Sequence, residues 1–475
     1  MTAHSLPFSS PAAQGVDARG LHAFLDTIEA APDIEPHSLM VLRHGHVVAQ
    51  GWWAPYSADR RHLLYSLSKS FTSTAAAFAA AEGLLRLDDP VIAHFPELDA
   101  EVTDPRSRSM LVRHVASMAS GHAEETWGEV IAADPVEPVR AFLKLPPDQD
   151  PGTIFAYNQS CTYTLAAIIQ RASGQTLTDY LRPRLFDPLG IGAVAWQQHP
   201  AGRDLGFTGL HVTTDAIAAL GQLYLQRGSW NGEQLLSEEW VAEATRSHVA
   251  NAGENIDWRQ GYGFQFWMSQ HGYRGDGAYG QFALVLPEQD AVVAITASTV
   301  AMQSLLDAAW KHVLPALGAT AVDADADAGL RDRMSRLALP VLPVKPAPSE
   351  SRETWSGVTF TPADGTCAAQ PSLIGVGLAD QKDGWQITLR ESGSMINLRL
   401  DTDGWRVSDA ADVPPTAVSG GWIDPQTLRF EVIFLETPHR LVVTCGLSDR
   451  TFDAEWATEP LGGNPLRELR SPRPS

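Results

Sequence analysis

The chain has 475 residues, 44% hydrophobic and 19% charged, with a formal net charge of −21. That length allows about two or three domains with ordinary buried cores, and the charge argues against nucleic acid and anionic membrane surfaces as partners. Three cysteines (Cys161, Cys367 and Cys445) are odd in number and widely spaced, which gives no disulfide framework, no metal-ligand set and no expected cofactor. Met1 to Gly15 has no basic segment followed by an apolar run, and no uncharged apolar stretch is long enough to span a bilayer. The expectation is therefore a cytoplasmic protein with no membrane partner.

From the N-terminus, Val16, Leu21, Phe24, Leu25 and Ile28 give Gly15 to Ala30 helical spacing. Ser38 to Trp53 reads as a hairpin turning at His44-Gly45. His44 and His46 flank that turn as solvated residues, with no carboxylate at ligand spacing. Ser66 to Glu82 reads as one helix of Ala, Ser, Thr and Phe, stopped by Gly83. It is too apolar to be a surface helix, so it is expected to pack on all sides.

Within that helix, Ser66 and Lys69 share one face. A hydroxyl is a poor nucleophile at neutral pH and needs a base within hydrogen-bond reach. A lysine serves if burial lowers its pKa, because desolvation disfavours the ammonium. A serine at the first turn also has the helix dipole and free N–H groups to favour an oxyanion.

Helical, Ala-rich segments continue to about Arg246, and Gln281 to Ser298 returns to strands around a Pro-Glu-Gln-Asp turn. Ala301 to Leu317 is a closing helix. Strands at both ends around a helical middle predict an α+β fold, an antiparallel sheet flanked by helices with a helical subdomain. Residues 319–349, rich in Ala and Asp and then in Pro, read as a linker with a short helix near Leu330 to Leu337. Residues 350–475 carry short strands punctuated by Asp-Gly and Ser-Gly, expected to form an all-β sandwich or barrel. No catalytic constellation lies there, so it reads as a packing or assembly module.

Taken in order, several segments of residues 1–318 resemble the serine hydrolases of the class C β-lactamase and penicillin-recognising fold, especially the family VIII carboxylesterases and the nylon-oligomer hydrolases. Tyr65-Ser66-Leu67-Ser68-Lys69 is similar to the family's nucleophile motif, and Gly83 to Val91 to the segment after it. Val112-Arg113-His114 through Ser120-Gly121-His122, Pro151-Gly152-Thr153 with Tyr157-Asn158-Gln159, Gly190-Ile191, Thr213-Thr214-Asp215 and Gly261-Tyr262-Gly263 follow in the family's order. The resemblance covers about Ser9 to Leu317. It implies a catalytic domain over 1–318, and the C-terminal strands loosely resemble appended lipocalin-like modules.

The resemblance implies roles for Ser66 as nucleophile, Lys69 as base and Tyr157 as general acid and base, with Tyr163 the nearby alternative. A phenol close to a charged Lys69 is expected to lose its proton more readily, or to relay one to the leaving group. Gln159 replaces the family asparagine with an amide one methylene longer. The third motif falls at Gly275-Asp276-Gly277-Ala278, where glycines allow close approach of substrate. The N–H groups of Ala278 and Ser66 would form the oxyanion hole. No cation matches the family lysine, Asp276 is expected to repel a substrate carboxylate, and the strand leaves the direction of Arg274 open. A small neutral ester or amide therefore fits better as substrate than a β-lactam. Acyl transfer to an amine or alcohol, or a non-catalytic binding role on the same scaffold, are the alternatives. A homo-oligomer is left open.

Overall fold

The computed structural model describes residues 6–318, 323–346, 352–382, 384–411 and 413–473, in two compact units. The first comprises residues 1–51, 63–335 and 472–475, the second 52–62 and 336–471.

In the first unit, α1 (Ala18–Ala30) starts at Asp17, whose side chain accepts the Arg19 N–H, and buries Leu21, Phe24, Leu25 and Ile28. The hairpin follows as β1 (Ile34–Arg43) and β2 (His46–Trp52), with His44 and Gly45 both left-handed at its turn. Then come α2 (Ser68–Ala81), α3 (Gln159–Ser173) and α4 (Thr214–Leu225). Four strands complete the sheet: β3 (Trp267–Met268), β4 (Tyr273–Gly277), β5 (Gln281–Leu286) and β6 (Ala291–Thr299). Its order is β2-β1-β6-β5-β4-β3. The pairings from β1 through β3 are antiparallel, so strands far apart in the chain do close one sheet around the helical middle. The strand order leaves β4, which carries Gly275 to Gly277 of the expected third motif, one strand from the sheet edge.

Helix α2 is buried on all sides from Ser68 to Ala79, as its composition predicted. Its start differs. Tyr65–Leu67 is a 3-10 turn, and the α-helix begins at Ser68. Among the described residues, no helix is long and apolar enough to cross a membrane.

The closing helix α5 (Met302–Ala308) runs into a wider turn at Ala309–Val313. The segment read as a linker contains α6 (Ala324–Met334), which the first unit includes, six residues upstream of where the short helix was expected to begin. Asp323 caps it by accepting the Asp325 N–H, a signal that the Ala/Asp-rich composition masked.

In the second unit, nine strands between Thr359 and Trp456 form a nearly closed, barrel-like sheet. All neighbours with a defined register are antiparallel except Thr359–Pro362 beside Thr451–Trp456. Trp355, Trp385, Trp422, Phe430 and Phe434 pack into its core. Residues 52–62 belong here too, against expectation: the Tyr56 hydroxyl donates to Thr437 O (3.3 Å), and Arg60 forks onto Asp409 (2.8 and 3.0 Å). No local pattern in that loop announces partners 381 and 349 residues away.

Candidate active site

The turn carrying Ser66 is held in an unusual conformation. Tyr65 has φ 48°, a left-handed geometry that costs a residue with a side chain on the order of 1 kcal/mol or more. Hydrogen bonds fix the turn on both sides: Leu64 N–H to Leu210 O (2.9 Å), and Leu210 N–H to Ser68 Oγ (3.1 Å). The Tyr65 ring meets that of Tyr279, also left-handed (φ 67°), edge-on at 5.5 Å. Ser66 itself is partly exposed.

The end of β4 lies directly against this turn. A Cβ on Gly277 would collide with Leu64 O and come within 3.1 Å of Leu67 N. One on Gly275 would strike Leu67 Cδ1 and Ser70 Oγ. Gly275 is thus a close-packing position under α2, while Gly277 packs on backbone atoms either side of Ser66, and Ala278, next in the chain, is partly exposed.

Lys69 is buried, with Nζ 3.0 Å from Ser66 Oγ, 2.6 Å from Gln159 Oε1 and 2.9 Å from Phe207 O. The longer amide of Gln159 thus reaches the lysine. Desolvation lowers the Lys69 pKa from its ordinary 10.5 to about 7, against the opposing pull of the Glu125 and Asp276 charges. A neutral amine has two hydrogens and one lone pair. Phe207 O can only accept, and Gln159 presents its oxygen, so both hydrogens are committed and the lone pair is left for the Ser66 hydroxyl.

Tyr157 is partly exposed and lies within hydrogen-bonding reach of Ser66 and Trp267. Its ring stacks on Trp267 (5.3 Å, 25°) and stands 4.8 Å from Lys69 Nζ. Burial pushes its phenol well above the ordinary range, and the Asp276 and Glu125 charges add to that shift. Of the two expected behaviours, easier ionisation runs against this shift, whereas relay of a proton to a leaving group uses the protonated phenol. Tyr163, the alternative, packs its ring on Trp127 and His199 instead.

Asp276 is not an isolated carboxylate. Arg274 lies on the same face of β4, and its Nε donates to Asp276 Oδ2 at 2.8 Å. The Arg274 Nη1 donates to Asp257 O, Met268 O and Ser269 Oγ (3.1, 3.0 and 2.7 Å), and the guanidinium lies 4.5 Å from the Trp258 ring. The expected repulsion is thereby softened to that of the negative end of an ion pair.

Residues with no motif complete the site. Exposed Glu125 accepts the N–H groups of Gln159 (3.1 and 3.0 Å) and Trp127 (2.8 Å), placing a carboxylate at the start of α3. Phe207 contributes its carbonyl, and its ring meets Trp127 at 4.7 Å.

The depressed Lys69 pKa also bears on stability. Between pH 7 and 10.5 the folded protein holds fewer protons than the unfolded chain, so stability rises with pH across that window. In Lys69→Met this contribution is absent. From pH 7 to 10 the wild type is expected to gain about 4 kcal/mol on the variant in urea unfolding. Parallel stability curves would mean that Lys69 is not held neutral.

Residues 24–318 match the family model described as Beta-lactamase. The 6-aminohexanoate-dimer hydrolase of Paenarthrobacter ureafaciens is 26% identical over 301 residues, 55% of this chain and 74% of that protein. The lovastatin esterase of Penicillium rubens is 27% identical over 159 residues, 29% of this chain and 40% of that protein. The crystal structure of SurE with D-Leu superposes with a TM-score of 0.51 at 20% identity, covering 88% of this chain and 98% of that one, a likeness of fold. The names of these two relatives denote amide and ester hydrolysis, and the matched stretch contains Ser66, Lys69, Tyr157 and the end of β4: the chain belongs to the beta-lactamase family.

Proposed function

We propose that the protein is a serine hydrolase that cleaves a small ester or amide through an acyl-enzyme on Ser66. The observation that carries this reading is the set of contacts of Lys69, a buried amine 3.0 Å from Ser66 Oγ, 2.6 Å from Gln159 Oε1 and 2.9 Å from Phe207 O; in its neutral form the last two take its hydrogens, which frees the lone pair for Ser66. Ser66 Oγ attacks the substrate carbonyl carbon as its proton passes to Lys69. The oxyanion faces the N–H groups of Ser66 and Ala278. Collapse breaks the bond to the leaving group, which takes a proton from Tyr157, and Tyr157 regains one from Lys69. Water then attacks the ester by the same route in reverse and frees Ser66.

Intact-mass spectrometry after treatment with a fluorophosphonate tests this. One adduct is expected, mapped to the peptide containing Ser66. An adduct on any other residue, or none, would overturn the assignment.

A further inference from the structure

The charges around Ser66 have a definite direction. Gly275 and Gly277 turn toward α2 and the Ser66 turn, so Arg274 and Asp276 point to the other face of β4. There Trp267 pairs opposite Arg274 and Tyr157 stacks on Trp267, and Asp276 is near enough for its charge to act on Tyr157 and Lys69. Arg274 is fully buried, donating from Nε to Asp276 and from Nη1 to Asp257 O, Met268 O and Ser269 Oγ, with Nη2 buried and without a hydrogen-bond partner, whereas Asp276 keeps 8% of its surface exposed. A ligand therefore meets the carboxylate before the guanidinium. Glu125, exposed at the start of α3, adds a second negative charge. Lys69 is already committed to Gln159 and Phe207. The net charge of −21 extends the same sign over the whole chain.

We infer that this site takes a substrate that carries an ammonium group close to the scissile carbonyl, with Asp276 as its receptor. The inference rests on the Ser66 reading and narrows its substrate class to amino-acyl esters or amides. The ammonium places N–H donors against a carboxylate that also accepts from Arg274, and it balances the negative charges of Asp276 and Glu125.

The test compares the β-alanyl and butanoyl 4-nitrophenyl esters, which differ by an ammonium in place of a methyl. With the uncatalysed rate subtracted, kcat/KM of the full-length protein is expected to be about tenfold higher for the β-alanyl ester at low salt, and less so as salt screens the charge. In Asp276→Asn the ratio should fall to about one. Because that change leaves Arg274 without its partner, the wild type supplies a second readout: propylammonium should slow fluorophosphonate labelling of Ser66, and propionate should not. A butanoyl ester turned over as well as the β-alanyl ester, or labelling indifferent to propylammonium, would overturn the inference while leaving the Ser66 reading intact. Absence of any Ser66 labelling would overturn both.

Discussion

Replacing Lys69 by alanine is expected to lower the rate of Ser66 acylation by about two to four orders of magnitude, the usual worth of a positioned base. The change removes the acceptor for the Ser66 proton and leaves Gln159 Oε1 and Phe207 O without the amine that joins them. Pre-steady-state release of nitrophenolate measures the acylation step directly. The pH dependence separates a base from a merely structural lysine. Below pH 7 the amine is protonated and cannot accept, so wild-type acylation should rise with pH and level off above about 7, following the value set by burial. That limb should vanish in Lys69→Ala, leaving a slow rate that follows hydroxide. A variant that keeps both the wild-type rate and the rise near 7 would move the base elsewhere in the site.

The parts of this candidate site legible in the sequence are those carried by side chains at a fixed spacing. Ser66 and Lys69 are three residues apart, and their placement at a buried helix start follows from the small, apolar residues after them. Tyr157 and the glycines of β4 were found through motif order. What escaped was carried by the main chain or by distant pairing. Phe207 serves Lys69 through its carbonyl, which every residue type possesses. Glu125 acts by accepting N–H groups from Gln159 and Trp127, an arrangement visible only once α3 is in place. The direction of Arg274, left open by the sequence, and the depth of its guanidinium depend on Trp258 and the Asp257 carbonyl from another segment. The α-helix beginning at Ser68 rather than Ser66 reflects the left-handed Tyr65, whose conformation is imposed by tertiary contacts against local preference.

Fold class was more legible than boundaries. Two strand groups separated by helices can satisfy their edges in one antiparallel sheet, and they do. The loop at 52–62 and the helix at 324–334 depart from the expected divisions because each is stabilised by partners remote in sequence, Thr437 and Asp409 for the loop and α1 for the helix.

Gly277→Ala should lower kcat by about two to three orders of magnitude, the cost of losing one oxyanion donor. The residue need not be glycine for its own backbone angles, since its φ is not left-handed. The requirement comes from its neighbours. A Cβ would overlap Leu64 O and press on Leu67 N at 3.1 Å, and these are backbone atoms of the Ser66 turn, which cannot rotate aside. The turn is pinned by its bonds to Leu210, so the strand end must give way. Its movement carries the Ala278 N–H away from the carbonyl oxygen of the substrate. The loss should fall on kcat more than on KM, because the donor acts chiefly on charge that develops in the transition state. Overpacking should also cost about 1–3 kcal/mol of stability, so thermal unfolding must confirm that the variant is folded under assay. Gly404→Ala is the matched control, with nothing within 4 Å of the added carbon and no left-handed backbone. A folded Gly277→Ala enzyme with kcat within about threefold of the control would mean that the end of β4 does not supply the oxyanion donor, and that the charge on the tetrahedral intermediate is met from another part of the site.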